Sequence, residues 1–234
     1  MESKQVEFCS LKLFLHPDVY EPSDDSELMV EAARKYAFGK VLDLGCATGV
    51  FGIASAKKKE VSSVVCADLN PTAVELAEKN AKANGVEKKV SATKTDLFSA
   101  FPSNEKFDVI GFNPPYLPTT PAERVHGTLN LAFDGGLSGR KITNKFLSGF
   151  DRHLSPGGIL ILLQSSLSGI EKTTNVLEKK GFAVEKISSK KFFFEEICVL
   201  VARKEEQAQK GKAMAAGAKK AIRQEKKKNG LAGI

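Results

Sequence analysis

The sequence predicts an α/β fold: a mostly parallel, seven-stranded sheet with helices on both faces and an antiparallel C-terminal hairpin strand. Three observations carry this expectation. Short apolar runs alternate with helical stretches. Several runs stop at Gly or Asp, where a strand hands over to a loop. The final two runs have no helix between them.

Residues 27–37 read as the first helix, for which Ser26 is a suitable N-cap; Ser26 could equally offer its hydroxyl to a ligand carboxylate. The run Lys40-Val41-Leu42-Asp43-Leu44 stops at Gly45 and reads as a buried strand, and helical character resumes over 50–58. Residues 61–67 are rich in β-branched side chains and end at Asp68, a second strand. Asn70-Pro71 opens a helix, with Asn as N-cap and Pro at the first helical position, and Asn84-Gly85 ends it. Residues 90–95 and 107–112 supply two more strands. The second is cut off by Pro114 and Pro115, which cannot donate to a ladder. A helical stretch over 140–153 closes at Ser155-Pro156-Gly157-Gly158, and the most apolar strand follows at 159–163. A helix over 170–180 stops at Gly181, and strands 182–187 and 193–202 form an antiparallel hairpin at the sheet's edge.

At 234 residues, 42% hydrophobic and 27% charged, the chain suits one soluble globular domain with a sizeable core. No apolar run approaches the roughly 20 residues that a membrane-spanning helix needs. The N-terminus lacks the basic-then-apolar layout of a secretory signal. Cys9, Cys46, Cys66 and Cys198 are scattered and read as reduced thiols of a cytoplasmic or nuclear protein. With no His or second Cys at ligand spacing they make no metal site. The net charge is +7, but residues 203–234 hold ten basic and three acidic side chains, leaving 25 of each sign in 1–202. The expected division is therefore a neutral domain over 1–204 and a basic tail over 205–234, disordered or loosely helical. Such a tail can be a solubilising extension or an electrostatic handle for RNA or the ribosome.

Asp43-Leu44-Gly45-Cys46-Ala47-Thr48-Gly49 falls between a strand and a helix, where open α/β sheets bind ligands. Gly45 and Gly49 would let the backbone approach a ligand closely. Their G-x-x-x-G spacing departs from the G-x-G-x-x-G of dinucleotide sites and suits a cofactor without phosphates. A tight strand-to-helix turn would explain the loop alone equally well. The acids around it are harder to explain as caps. Asp68 can grip two ribose hydroxyls, Asp96 beside Leu97 can accept an adenine amine, and Asp43 can act on the ammonium of a methionine moiety. Together they point to S-adenosylmethionine.

Asn113-Pro114-Pro115-Tyr116 follows the fourth strand directly, and its two prolines hold the backbone stiff. An amide or aromatic amine is a poor nucleophile because its lone pair is delocalised, so its N–H groups must be held and its nitrogen aimed. The Asn113 side-chain oxygen and the Pro114 carbonyl can hold two such hydrogens, while Tyr116 stacks on the planar group near a cation. Asn113, Pro114 and Tyr116 are thus the candidate catalytic residues, and Pro115 joins them in binding substrate.

These segments resemble the HemK-like class I S-adenosylmethionine-dependent methyltransferases, specifically the eukaryotic and archaeal release-factor glutamine methyltransferases. The resemblance rests on Val19-Tyr20-Glu21-Pro22-Ser23-Asp24-Asp25-Ser26, on the loop ending at Gly49, and on Asn113-Pro114-Pro115-Tyr116. It continues through Gly135-Gly136-Leu137-Ser138-Gly139-Arg140 and Leu154-Ser155-Pro156-Gly157-Gly158, and covers roughly 15–204. It implies a Rossmann-like fold and cofactor contacts at Ser26, Asp43, Gly45, Asp68, Asp96, Leu97 and Asn113. It implies as substrate the Gly-Gly-Gln glutamine of a class I peptide-chain release factor. It also implies a small zinc-binding activator subunit of the Trm112 type, docked by strand pairing near the third strand. Ala132-Phe133-Asp134 stands before the Gly-Gly pair where the family often has a Trp, and the basic tail is not a usual family feature. The tetrapeptide is shared with adenine-N6 methyltransferases of DNA or RNA, and methylation of lysine side chains is a further alternative.

Overall fold

In the computed structural model, which describes residues 4–123 and 127–204, the chain opens with a hairpin that the sequence does not announce. Strands β1 (Gln5–Phe8) and β2 (Leu11–Phe14) pair antiparallel around Cys9 and Ser10, whose φ of 47° and 60° are left-handed. Asn-Gly usually fills such a turn, and its absence hides the hairpin from sequence reading. β2 buries Leu11 and Leu13. Two asparagines hold its backbone: Asn80 bonds both the N–H (2.7 Å) and the carbonyl (3.1 Å) of Phe14, and Asn84 does the same for Lys12.

The first helix, α1 (Asp24–Tyr36), begins earlier than expected, with Ser23 rather than Ser26 at its N-cap. Asp24, Asp25 and Glu27 crowd its first turn, where acids complement the helix dipole. Then follow β3 (Gly39–Leu44), α2 (Val50–Ala56), β4 (Val61–Asp68), α3 (Pro71–Ala83), β5 (Val90–Lys94) and β6 (Phe107–Phe112). Asn70 caps α3 by accepting from the Thr72 N–H at 3.0 Å, as expected. The helical stretch after residue 140 is shorter than expected, α4 (Lys141–Leu147) followed by one 3-10 turn over Phe150–Arg152. Ser155-Pro156-Gly157-Gly158 lies inside β7 (Leu154–Ser165), where the ladder to β6 is irregular between Phe107 and Val109. The bulge accommodates a proline that an ideal ladder would reject. α5 (Ile170–Lys179), β8 (Phe182–Lys191) and β9 (Glu196–Lys204) complete the domain.

The sheet runs β5-β4-β3-β6-β7-β9-β8, with β9 antiparallel to both its neighbours. The expected C-terminal hairpin is present, and β9 slots between β7 and the edge strand β8. Alternate residues of each central strand face opposite layers. Val41, Val64, Val109 and Ile161 pack under α1, α2 and α3; Leu42, Ile110, Leu160 and Leu162 pack against α4 and α5. The second layer is aromatic: Phe146 is fully buried, with its ring 4.7 Å from that of Phe112 and 5.3 Å from that of Phe150. The basic tail expected over 205–234 lies outside the described residues.

Phe146→Ala should destabilise the fold by about 3–5 kcal/mol, because the aromatic cluster leaves a cavity that cannot collapse. Urea unfolding of the two proteins measures this, and a loss below about 1 kcal/mol would contradict the packing described.

Candidate active site

The chain leaves β3 for β4 and β5 on one side, then returns to place β6 on the other. Ligands bind at such a switch point, beyond the strands' carboxyl ends. Leu44 and Phe112 are register partners, so Gly45 and Asn113 emerge side by side. A Cβ on Gly45 would stand 3.1 Å from the Phe112 ring, and its φ of 63° is left-handed, so only glycine fits easily. A cavity of about 300 Å³ opens here. Its wall includes Ser26, Asp43, Gly45, Asp68, Asp96, Leu97 and all of Asn113-Pro114-Pro115-Tyr116.

Gly49 is the exception among the expected residues. It does not line the cavity; it caps α2 with a φ of 78°, and a Cβ there would stand 3.0 Å from the Ala77 side chain. Its glycine serves helix packing, and its spacing in the loop has no other purpose visible in the structure. Ser26 is buried in the first turn of α1 and donates its hydroxyl to Asp25 at 3.0 Å, so its expected capping role falls away.

The acids occupy successive strand ends, as expected. Asp43 Oδ2 accepts the Gly52 N–H at 2.8 Å. Burial, aided by the nearby Asp68 charge, raises its carboxyl to about 8. Asp68 accepts from the Ala47 N–H at 2.9 Å and the Asn70 N–H at 2.8 Å; burial holds its carboxyl above the usual range despite these bonds. Asp96 is more exposed and pairs with Lys145 on α4 at 2.6 Å. Ala47 and Leu97, both on the cavity wall, hold left-handed φ values of 47° and 50° without being glycine. Such strain concentrates where structure serves a site.

Asn113 shows why the tetrapeptide matters. Its Nδ2 donates to Asp25 Oδ2 at 2.9 Å, which fixes the amide's orientation, while its Oδ1 is buried with no hydrogen-bond partner. Leaving a buried acceptor unmade costs about 1–3 kcal/mol, a cost tolerated where a ligand completes the bond. No described N–H or O–H donates to the Pro114 carbonyl. Asp25 also accepts the Tyr20 hydroxyl at 3.1 Å and the Ser26 N–H at 2.6 Å. The phenols of Tyr20 and Tyr116 are both pushed up, first by burial and then by the Asp25 charge, so both stay neutral. The segment after the tetrapeptide is pinned by Gly139: a Cβ there would stand 2.3 Å from the Tyr116 carbonyl oxygen. Phe133 lies edge-on to Tyr20 at 5.5 Å, and both line the cavity.

Sequence reasoning gave no role to Asp25 or Tyr20. Both lie in the quoted Tyr-Glu-Pro segment, but an acid in a helix's first turn reads as a dipole partner. Only the 88-residue separation bridged by the bond to Asn113 reveals its purpose. Lys145 was likewise invisible, since a helix-face lysine is ordinarily solvated.

A Gly loop, acids at three strand ends and an orphaned amide oxygen at the switch point define a methyltransferase of the class I fold. Residues 15–127 match the family model described as methyltransferase small domain. The chain is 44% identical over 195 residues to a putative protein N5-glutamine methyltransferase of Methanocaldococcus jannaschii, covering 83% of this chain and 96% of that one. It is 30% identical to human methyltransferase HEMK2, over 70% of this chain and 79% of the relative. The release factor glutamine methyltransferase of Geobacter sulfurreducens is 31% identical, and the chain spans only 63% of its length. Among solved structures, Mtq2 of E. cuniculi, in the Mtq2-Trm112 complex responsible for methylating the termination factor eRF1, superposes with a TM-score of 0.58 at 26% identity. That match covers 80% of this chain and 99% of the other. The chain belongs to the HemK-like methyltransferases and is an enzyme of that family.

A carboxyl at about 8 in the folded state, against roughly 4 unfolded, binds an extra proton between those values. Its contribution to stability is complete below about pH 4 and is lost as pH rises through about 8. Asp43→Asn keeps an acceptor for Gly52 and removes the titration. Urea midpoints at pH 5 and pH 8.5 should therefore fall less in the variant than in the wild type; equal falls would refute the buried proton.

Proposed function

We propose that the chain transfers a methyl group from S-adenosylmethionine to the side-chain amide nitrogen of the Gly-Gly-Gln glutamine in a class I peptide-chain release factor. The orphaned Oδ1 of Asn113 carries the reading. It can accept one hydrogen of a primary amide, and the Pro114 carbonyl can accept the other. Held so, the amide nitrogen has one direction left in which to meet an electrophile. The names of the relatives support glutamine as the acceptor, and the neutral charge of residues 1–202 supports a protein substrate over nucleic acid.

S-adenosylmethionine supplies a methyl group made electrophilic by its sulfonium. The residues suited to hold it are Asp68 for the ribose hydroxyls, Asp96 and Leu97 for the adenine, and Asp43 with Gly45 for the methionine end, with Ser26 beside its carboxylate. A cationic ammonium near Asp43 favours that carboxyl's ionised form, so cofactor affinity should rise with pH below about 8. Tyr116, neutral and half-buried, can stack on the planar amide and face the cation. No general base is needed: methylation makes the nitrogen acidic, and its proton leaves afterwards to water. Positioning supplies most of the rate.

The outer edge of β5 is unpaired among the described residues, and Val90 and Ala92 are half-buried there. That edge suits strand pairing with a small zinc-binding activator subunit of the Trm112 type, as the complex of the Mtq2 relative supports. Its free thiols suit the reducing cytoplasm, where release factors work. Any contact of residues 205–234 with RNA or the ribosome remains a separate part of this proposal, tested by deleting them.

The test uses labelled S-adenosylmethionine, with and without the activator, and either release factor or nucleic acid. Label should appear on the glutamine. Asn113→Ala should lower turnover by about 100-fold or more, as loss of a positioned polar group in an active site does. Asp25→Asn should lower kcat by about tenfold, because Asn113 can then present either end of its amide. Label found only on adenine would sink the proposal.

A further inference from the structure

Phe192, Phe193 and Phe194 are consecutive and exposed, the latter two at 91% and 85%. They form the tip of the β8–β9 hairpin, where the Phe192 N–H donates to the Glu195 carbonyl at 2.7 Å. Gly, Asn, Asp and Ser are the residues that suit such a turn. Two aromatic side chains in water, at positions where folding prefers small polar ones, imply a use outside the fold.

The topology says where that use lies. β9 is antiparallel to β7, and β8 is antiparallel to β9, so β8 runs with the parallel strands. Its carboxyl end therefore reaches the same edge of the sheet as Gly45, Asp68 and Asn113. Three observations place the tip beside the site. Lys190 pairs with Asp24, the neighbour of Asp25, at 2.6 Å. Glu195 Oε1 accepts the Ser165 hydroxyl at 2.6 Å. The Glu195 charge also adds to the upward push on the Tyr116 phenol.

We propose that the Phe193-Phe194 tip docks the protein that carries the methyl-accepting glutamine, seating in an apolar pocket near its target loop. This rests on the glutamine reading above. A side chain that enters the cavity brings its own protein across the rim, and the tip stands on that rim. Two lysines near the tip are paired, Lys190 with Asp24 and Lys186 with Glu196 at 3.0 Å, and Glu195 accepts from Ser165, while Lys191 stands exposed beside Phe192. An aromatic anchor ringed by polar groups, most of them already hydrogen-bonded or paired, is the anatomy of a protein–protein hot spot. A membrane-surface anchor would instead carry a cluster of unpaired basic residues, and Lys186 and Lys190 are tied up here. β5 and β8 are opposite edges of the sheet, so an activator paired with β5 leaves the tip uncovered.

The test compares wild type with Phe193→Ser/Phe194→Ser, whose serines suit the turn, in the complete chain with its activator. Substrates are whole release factor and a short Gly-Gly-Gln peptide. KM for the whole factor should rise by about tenfold or more with kcat unchanged, the mark of lost uniform binding. On the peptide, kcat/KM should not change. A Phe193→Leu/Phe194→Leu variant, which keeps an apolar tip, should recover most of the loss. A wild type that methylates no release-factor glutamine would defeat the glutamine reading itself. With wild-type activity intact, an unchanged KM in the serine variant would overturn the docking assignment. So would an equal loss on the peptide, or a loss confined to self-association or to binding of anionic vesicles.

Discussion

Asp25 is a buried carboxylate that accepts from Tyr20, from Ser26 and, across 88 residues of sequence, from the side-chain amide of Asn113. An asparagine amide has two ends that differ in chemistry but hardly in shape. By taking the N–H end, Asp25 fixes which end of the amide carries the unpaired oxygen. For that bond to form, the first turn of α1 must lie against the carboxyl end of β6. The sheet order and the stiff Pro114-Pro115 pair help keep those two points together. The site is therefore a product of the whole architecture.

The electrostatics of the cavity follow the same logic. Burial holds the carboxyls of Asp43 and Asp68 above the usual range, and the Asp68 charge adds to the push on Asp43. Each is steadied by backbone N–H groups, from Gly52 for one and from Ala47 and Asn70 for the other. Buried acids without a cation are costly. Such a site favours a ligand with positive charge and hydroxyl donors, which is the chemistry of the proposed cofactor. Asp96, at the rim, is held by Lys145 and answers to a different and weaker constraint.

The sheet also separates the enzyme's dealings with other molecules. The Gly45 loop and the tetrapeptide occupy its centre, and among the described residues β5 forms one edge and β8, with its β8–β9 hairpin, the other. Partners assigned to opposite edges need not compete. Beyond the tetrapeptide, Gly139 passes the Tyr116 carbonyl too closely for any side chain, which holds Tyr116 in place.

Much of this was legible in the sequence. The strands at 40–44, 61–67 and 107–112, the Asn70 cap and the C-terminal hairpin follow from local periodicity and turn chemistry, which act over a few residues. The acids at strand ends and the tetrapeptide were legible because the strand order of an α/β sheet brings such ends together. The β1–β2 hairpin was not, since Cys9-Ser10 is an unusual left-handed turn. Nor was the role of Gly49, which packs against a helix the sequence places 28 residues away. The sequence by itself determined the class of fold and the chemistry of the site's residues, because both rest on short-range patterns. Only the tertiary structure decided that Asp25 orients Asn113 and that the Phe193-Phe194 tip stands on the site's edge, because hydrogen bonds and sheet topology join residues that no local pattern relates.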